Sequence, residues 1–585
     1  MKIYKPLFTI IIFSLLTLGT LFANDFNNVR KNVDLNIGET TEVTLYDGTT
    51  VTIKIVQTKI IKDRIRLAIR EAKIKVAVDG EEKWITAGNY NLPIEYEKVK
   101  IDIPIIRAYF ANANFPDDMW KLAKDVRLRV WPVNQPVNPD GLIAYPIDQK
   151  FLATNTTAAL EPVEIDHDNV KPNPYDKIYY HWGIDMAGVK AVTPVLAAGD
   201  GEVICVGTDH IDDPIFDLAG PRFDRIFVKM ENGWVYRYSH LHSFNVTLGQ
   251  HVNGGDQIAI LGNNWSDFAH EHFEIWSLNE DGEYIIEVAY PYIWESYVGK
   301  HQPKLIAVAK PHRYIGVGDE VELDAAKSIS FEGKIIKYEW SFHDGSTATG
   351  IRVTKKYNEP GYFSEMVKVT DDKGNTEYDF IHVTVVYDNK PNKKYGYTTV
   401  NYYPTFNLQP EQEITFKGRY FNVFEGEDHW DFGDGSPIEI SHSNPDGNSQ
   451  SGYVTKKHTY QKAGHYIVSF SRTTNEGITA TTNLSIQVGE PNSISEHKKK
   501  ALITLNSGNL YDLTKQSVIN YYQNYPASLK IRFMEINGNT VFMDAVRNQQ
   551  KGIHNIQIPT GLSSGNYLLI FQSKDNQVVK KIILY

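Results

Sequence analysis

Apolar and polar residues alternate in short runs along much of this chain, and side chains that alternate in sequence lie on opposite faces of a strand. Residues 42–56 alternate around Asp47-Gly48, and Asp79-Gly80 joins residues 72–78 to residues 82–85, so both stretches read as hairpins. Between residues 24 and 132 the pattern predicts a helix start only at Pro116-Asp117-Asp118, running into residues 119–124. A first β-domain therefore spans residues 24–132, and the Pro- and Asn-rich stretch from Pro132 to Gly141 bounds it. Alternation resumes over 140–300 and again in two further segments, 306–386 and 395–488. The first carries Tyr338-Glu339-Trp340-Ser341-Phe342-His343-Asp344-Gly345 and Tyr357-x-x-x-Gly361; the second carries Trp430-Asp431-Phe432-Gly433-Asp434-Gly435 and Tyr460-x-x-x-Gly464. They form an internal repeat of about ninety residues. A polar linker, Gly489 to Lys500, leads to a last alternating unit, residues 501–585. The fold class is mostly β and multidomain, with several short-stranded sandwiches.

Composition adds the setting. With 585 residues and 42% hydrophobic content, the chain is long enough for several cores. Sixty basic against 71 acidic residues leave no electrostatic footprint for nucleic acid. Lys2 and Lys5, an apolar stretch from Leu7 to Leu18, and Leu21-Phe22-Ala23 before Asn24 read as a secretory signal peptide cut after Ala23. No later stretch has the roughly 18 apolar residues that a membrane span requires, so the expected location is secreted or cell-surface. The lone Cys205 excludes an intramolecular disulfide, and stability must come from packed cores.

Candidate chemistry is concentrated in the 140–300 segment, in His181-Trp182-Gly183-Ile184-Asp185, Tyr238-Ser239-His240-Leu241 and His270-Glu271-His272-Phe273-Glu274. On a strand His270 and His272 point the same way, and His181 and Asp185 share a face if their segment is extended. Two histidines and a carboxylate can hold a catalytic zinc, leaving a fourth position for water whose pKa the metal lowers to about 7. Remaining histidines can serve as base and as oxyanion donor. By the same alternation Glu271 faces away from its neighbours, as a surface or supporting group. Asp200, Gly201 and Asp256 fit turns. The acidic stretch from Gly207 to Asp213, continuing from Asp217 to Asp224, lacks a regular ligand pattern and reads as a solvated loop that could wall a cleft, and Asp166-His167-Asp168 reads as exposed linker.

These motifs, with Thr193-Pro194-Val195, Ala198-Gly199-Asp200-Gly201 and Val252-x-x-Gly255-Asp256-x-Ile258 in order between them, resemble the lysostaphin-type zinc metallopeptidases (family M23) over about a quarter of the chain. The resemblance implies one zinc per chain held by His181, Asp185 and His272, with His240 and His270 as unligated catalytic histidines. Three departures stand out: Val192 for a Gly, Glu271 for an apolar residue, and Asn264-Trp265-Ser266-Asp267-Phe268 for a small Gly-rich loop. The two repeats resemble PKD domains, with His343 replacing a Gly in the first, and act as spacers or adhesion modules. Residues 501–585 resemble the C-terminal sorting domain of type IX secretion, with Asn506-Ser507-Gly508 in place of its usual Pro-Asn-Pro opening.

The expected function is that of a secreted zinc metalloendopeptidase acting on peptidoglycan cross-links or stem peptides, handled by the type IX secretion machinery. Two alternatives accompany it: an endopeptidase for Gly-rich extracellular protein, and a surface-binding protein with an inactive peptidase-like domain. The first domain, residues 24–132, is open between propeptide, substrate positioning and spacer.

Overall fold

The computed structural model describes residues 30–584 apart from 112–118, 140, 151–155, 165–177, 265, 267, 389–395, 422–425, 442–451, 474–478, 490–502, 506–509, 512–517, 524–526, 536–539, 550–551, 560 and 574–576. The expected signal peptide, Pro116-Asp117-Asp118, Asp166-His167-Asp168, Trp265 and Asn506-Ser507-Gly508 lie outside the described residues. The chain forms two compact units, Met1–Gly489 and Glu490–Tyr585. It is mostly β, and among the described residues no helix is long and apolar enough to cross a membrane.

Both expected hairpins are present near the start. Thr40–Thr44, Thr50–Lys62, Ile69–Val78 and Glu81–Thr86 pair in sequence order, with Asp79 and Gly80 at positive φ in the second turn. A second sheet runs Lys31–Leu35, Val126–Pro132, Val99–Ile106, Ile94–Glu95. The helix expected over residues 119–124 does not form, and a short helix occupies Arg107–Ala111 instead. The reason is that the carbonyls of Trp120, Lys121, Leu122 and Lys124 accept from the guanidinium groups of Arg127 and Arg107 rather than from helical N–H groups, while Trp120 and Leu122 are buried.

The next segment is built on an eight-stranded sheet. Its path runs from the edge strand Ile184–Ala187 to His270–Leu278, Val235–Ser239, Ile226–Met230, Gly201–Val206 and Asp209–His210; Tyr284–Glu287 and His251–Val252 add at the sides. A three-stranded sheet, Pro194–Leu196, Gln257–Leu261, Leu241–Phe244, and the helix Tyr290–His301 complete it. One hydrophobic core runs without a break from Leu35 in the N-terminal sheets through Ile275 and Trp276 to Val308. Each fully buried aliphatic or Phe side chain contributes about 1.5–3 kcal/mol, so the shared core couples the N-terminal sheets and the eight-stranded sheet energetically. Buried charge crosses the same seam: Arg129 is fully buried and pairs with both Asp102 and Glu287, the latter at 2.8 Å, and Arg30 also meets Glu287. Such groups are tolerated only when paired.

The two repeats are sandwiches with separate cores around fully buried Trp340 and Trp430. The hydroxyl of Tyr460 donates to the Phe432 carbonyl at 3.0 Å, whereas that of Tyr357 donates to Glu365, which also accepts from His343 at 2.6 Å. Both repeats pack within the first unit: His301 stacks on Phe406 at 4.0 Å between ring centroids, and Asn483 donates to the Ser364 carbonyl. The second unit has a three-stranded and a five-stranded sheet around Ile519, Phe533 and Phe571.

Candidate metal centre

The site is set by register. His272 lies opposite Asp185 on the edge strand and opposite Ser239 on the other neighbour, while His270 lies opposite Ala187. Residues 270, 272, 274 and 276 share the cleft face, and 271, 273 and 275 share the core face. Glu271 is accordingly fully buried beside Phe273 and Ile275, not at the surface, and burial pushes its carboxyl well above the usual range.

His181 and Asp185 do not share a single extended strand. Ile178–Tyr180 and Ile184–Ala187 are separate, and Gly183 turns the chain between them at a φ of 77°. A Cβ at Gly183 would lie 2.5 Å from the Phe273 carbonyl oxygen, so only glycine fits there. This turn brings His181 Nε2 to 3.0 Å from His272 Nδ1 and 3.1 Å from Asp185 Oδ1, with His272 Nδ1 at 2.8 Å from the same oxygen. Burial works against the Asp185 carboxylate, but the adjoining His181 and His270 rings hold its pKa well below the usual range.

Behind these atoms stands Glu274, quoted in the sequence motif without a role. Its Oε1 meets His272 Nε2 at 2.9 Å and accepts from Trp182 Nε1 at 3.1 Å; its Oε2 accepts from Arg237 at 2.8 Å and Trp276 Nε1 at 2.8 Å. Burial would raise its pKa, but the Arg237 charge and the His272 bond hold it ionised. Burial works against a charge on His272, but Asp185 on Nδ1 and Glu274 on Nε2 raise its pKa, and the Glu274 bond orients the ring so that Nδ1 is the nitrogen facing Asp185 and His181.

His240 and His270 flank this set, with ring centroids 4.6 Å apart and His240 5.8 Å from His272. His240 follows the Val235–Ser239 strand at a φ of 64°, a left-handed conformation that costs a residue with a Cβ about 1 kcal/mol or more. Gly262 permits it, since a Cβ there would lie 2.6 Å from the His240 carbonyl. Nδ1 of His240 donates to the Asn264 carbonyl. Burial lowers its pKa to about 4 against the opposing Asp224 carboxylate, leaving a neutral ring whose Nε2 is an acceptor. His270 Nδ1 lies 3.1 Å from the Phe268 carbonyl, and its Nε2 lies 3.3 Å from Asp185 Oδ1, so acceptors face both nitrogens. The Phe268 ring sits 4.4 Å from that of His270.

The acidic stretch expected as a solvated loop divides. Thr208–His210, Asp212 and Asp217 are exposed, but Asp213 pairs with Lys229 and Asp224 is fully buried. Asp224 is held by Arg222 at 2.9 Å on both oxygens and lies 3.6 Å from His240 Nδ1. Burial works against it, yet the His240 and Arg222 bonds lower its pKa to about 2. Asp200 and Asp256 cap turn amides as expected, whereas Gly201 begins a strand, where a side chain would meet the Lys229 carbonyl at 2.5 Å.

Among the described residues two groupings could hold a metal ion: His181, Asp185 and His272, and His240, His270 and His272. The first joins nitrogen and carboxylate donors of the type that bind catalytic zinc. Its donor spacing of 2.8–3.1 Å is somewhat tighter than the separation of about 3.4 Å expected around a tetrahedral ion with bonds near 2.1 Å.

Residues 179–285 match peptidase family M23, residues 301–385 match the PKD domain, and residues 514–585 match the secretion system C-terminal sorting domain. The chain carries an M23 peptidase domain. Among curated relatives, collagenase ColA of Clostridium perfringens is 33% identical over 102 residues, 16% of this chain and 9% of that protein. The cell division protein DipM of Caulobacter vibrioides is 37% identical over 70 residues, 12% of this chain and 10% of that protein. The chain thus spans about a tenth of the length of the curated relatives it matches. Among solved structures, the catalytic domain of lysostaphin from Staphylococcus simulans is 19% identical with a TM-score of 0.17, covering 24% of this chain and 92% of that one. The PKD1 domain of Vibrio anguillarum Epp is 22% identical with a TM-score of 0.13, covering 14% and 96%.

Proposed function

We propose that the M23 domain is a zinc-dependent endopeptidase of an exported protein, acting on peptidoglycan cross-links or stem peptides. The observation that carries this reading is the convergence of His181 Nε2, Asp185 Oδ1 and His272 Nδ1 to within 2.8–3.1 Å of one another on one side of the sheet. In this reading those three atoms hold the ion, and Glu274 keeps the His272 ring in the orientation that ligation needs. Zinc bound there supplies polarisation of the scissile carbonyl and acidification of water near neutral pH.

The remaining steps belong to the chain's own groups. His240, neutral and with Nδ1–H committed to Asn264, presents Nε2 as general base for the attacking water. His270, facing acceptors at both nitrogens, is suited to donate a hydrogen bond to the developing oxyanion. Asn264 and Asp224 fix the His240 ring between them.

The test compares zinc content and hydrolysis in the parent, His272→Ala and His240→Ala. His272→Ala is expected to lose both, and His240→Ala to keep zinc while cleavage falls about a hundredfold or more. A parent that binds no zinc, or cuts neither purified cell wall nor a Gly-rich protein, refutes the reading. Cleavage of the Gly-rich protein alone moves the substrate class away from cell wall.

A further inference from the structure

The edge strand that carries Asp185 has a second partner, outside the M23 match. Leu160 N–H donates to the His181 carbonyl at 2.7 Å, His181 N–H donates to the Glu161 carbonyl at 2.9 Å, and Asp185 N–H donates to the Thr157 carbonyl at 2.8 Å. Both backbone groups of one candidate ligand and the amide of another are therefore set by residues 157–161.

That short segment is in turn held by two other parts of the chain. The Glu161 carboxyl, 5% exposed, accepts from the Tyr90 hydroxyl of the N-terminal sheets and, at 3.0 Å, from the His312 amide of the first PKD-like repeat. It also receives the Ala158 amide at 3.4 Å, which closes the segment on itself. The Thr156 carbonyl lies 2.6 Å from the same Tyr90 hydroxyl, sharing its proton with Glu161, and 3.1 Å from His312 Nε2, and the Ala159 carbonyl accepts from Asn89 N–H at 2.6 Å. A buried carboxyl with three donors is a rigid junction, because losing any partner leaves a desolvated polar group behind.

We propose that Glu161 is a positioning residue for the metal centre, through which the N-terminal sheets and the first PKD-like repeat lock His181 and Asp185 into ligating geometry. The first domain is then a built-in wall of the centre, not a propeptide to be removed, and the first repeat is more than a spacer. This inference rests on the zinc reading above. It differs from that reading in naming residues that touch neither ion nor substrate.

The experiment uses the full chain and measures zinc affinity by chelator competition together with amide hydrogen exchange over residues 178–187, for the parent, Glu161→Ala, Glu161→Gln and Tyr90→Phe. Glu161→Ala is expected to weaken zinc binding at least tenfold, as loss of outer-shell support does, and to lose exchange protection in the His181 and Asp185 segment. Glu161→Gln, which keeps an acceptor oxygen, should recover most of the loss, and Tyr90→Phe should weaken zinc a few-fold. Parent-like affinity and protection in a folded Glu161→Ala overturn the proposal. If that variant does not fold, parent-like zinc affinity and exchange protection in Tyr90→Phe overturn it. A parent without zinc refutes the zinc reading, while the exchange measurement still decides whether Glu161 positions the strand.

Discussion

The two strands that build the centre are supported in different ways. His270–Leu278 lies inside the sheet, with Val235–Ser239 on one side and Ile184–Ala187 followed by Tyr284–Glu287 on the other, so its ladder fixes His270, His272 and Glu274. Ile184–Ala187 is at the edge of the sheet path, and its outer side is completed by residues 157–161. One half of the centre thus has strand partners from the sheet on both sides, and the other half takes its outer backbone partners from residues 157–161. A metal site needs donor positions held within about 0.5 Å, so the edge half is where precision is most exposed to change.

The strongest way to break this contrast is to delete residues 24–132. The core shared between the N-terminal sheets and the eight-stranded sheet predicts an insoluble or unfolded M23 domain without zinc, read by solubility and circular dichroism. A soluble, zinc-loaded truncated chain would show that the edge half is self-supporting. Gly183→Ala acts at the turn where the edge half meets the His270–Leu278 strand. Its positive φ and the 2.5 Å approach to the Phe273 carbonyl predict a loss of about 1–3 kcal/mol in unfolding free energy, with weakened zinc binding, by denaturant titration and chelator competition.

The mildest probe is pH. Burial lowers the pKa of His312 to about 3, with the Lys310 charge adding to it, and lowers that of His465 to about 4. The unfolded chain takes up these protons near pH 6.5 while the folded chain resists. Their contribution is therefore complete above pH 6.5 and is lost as pH falls toward 4. The melting temperature should decline over that window, and His312→Asn should flatten the decline. Because His312 touches the Thr156 carbonyl, exchange protection should fall at residues 178–187 before it falls at residues 270–278.

What the sequence made legible follows the same line. The alternation of His270 and His272, the two N-terminal hairpins and the buried Trp340 and Trp430 are local consequences of strand period and turn residues, and local rules suffice for them. The supporting segment Thr156-Thr157-Ala158-Ala159-Leu160-Glu161 has neither alternation nor a turn signature, and its partners are backbone groups and the Tyr90 and His312 side chains from three separate regions. Asp224 was hidden among acidic neighbours that are exposed, and only the fold separates it from them. Arg237, in the apolar run Val235-Tyr236-Arg237-Tyr238, did carry a signal: a charge inside a buried strand requires a partner, here Glu274.

Cys205, the one cysteine, lies fully buried on the Gly201–Val206 strand, and burial pushes its thiol up to about 12. A thiol so far from ionisation is inert toward oxidants and alkylating reagents while the sheet is closed. It can therefore serve as a native chemical clock: the rate at which a thiol reagent modifies the intact protein counts openings of the sheet that carries the candidate metal centre, with no label engineered into the chain.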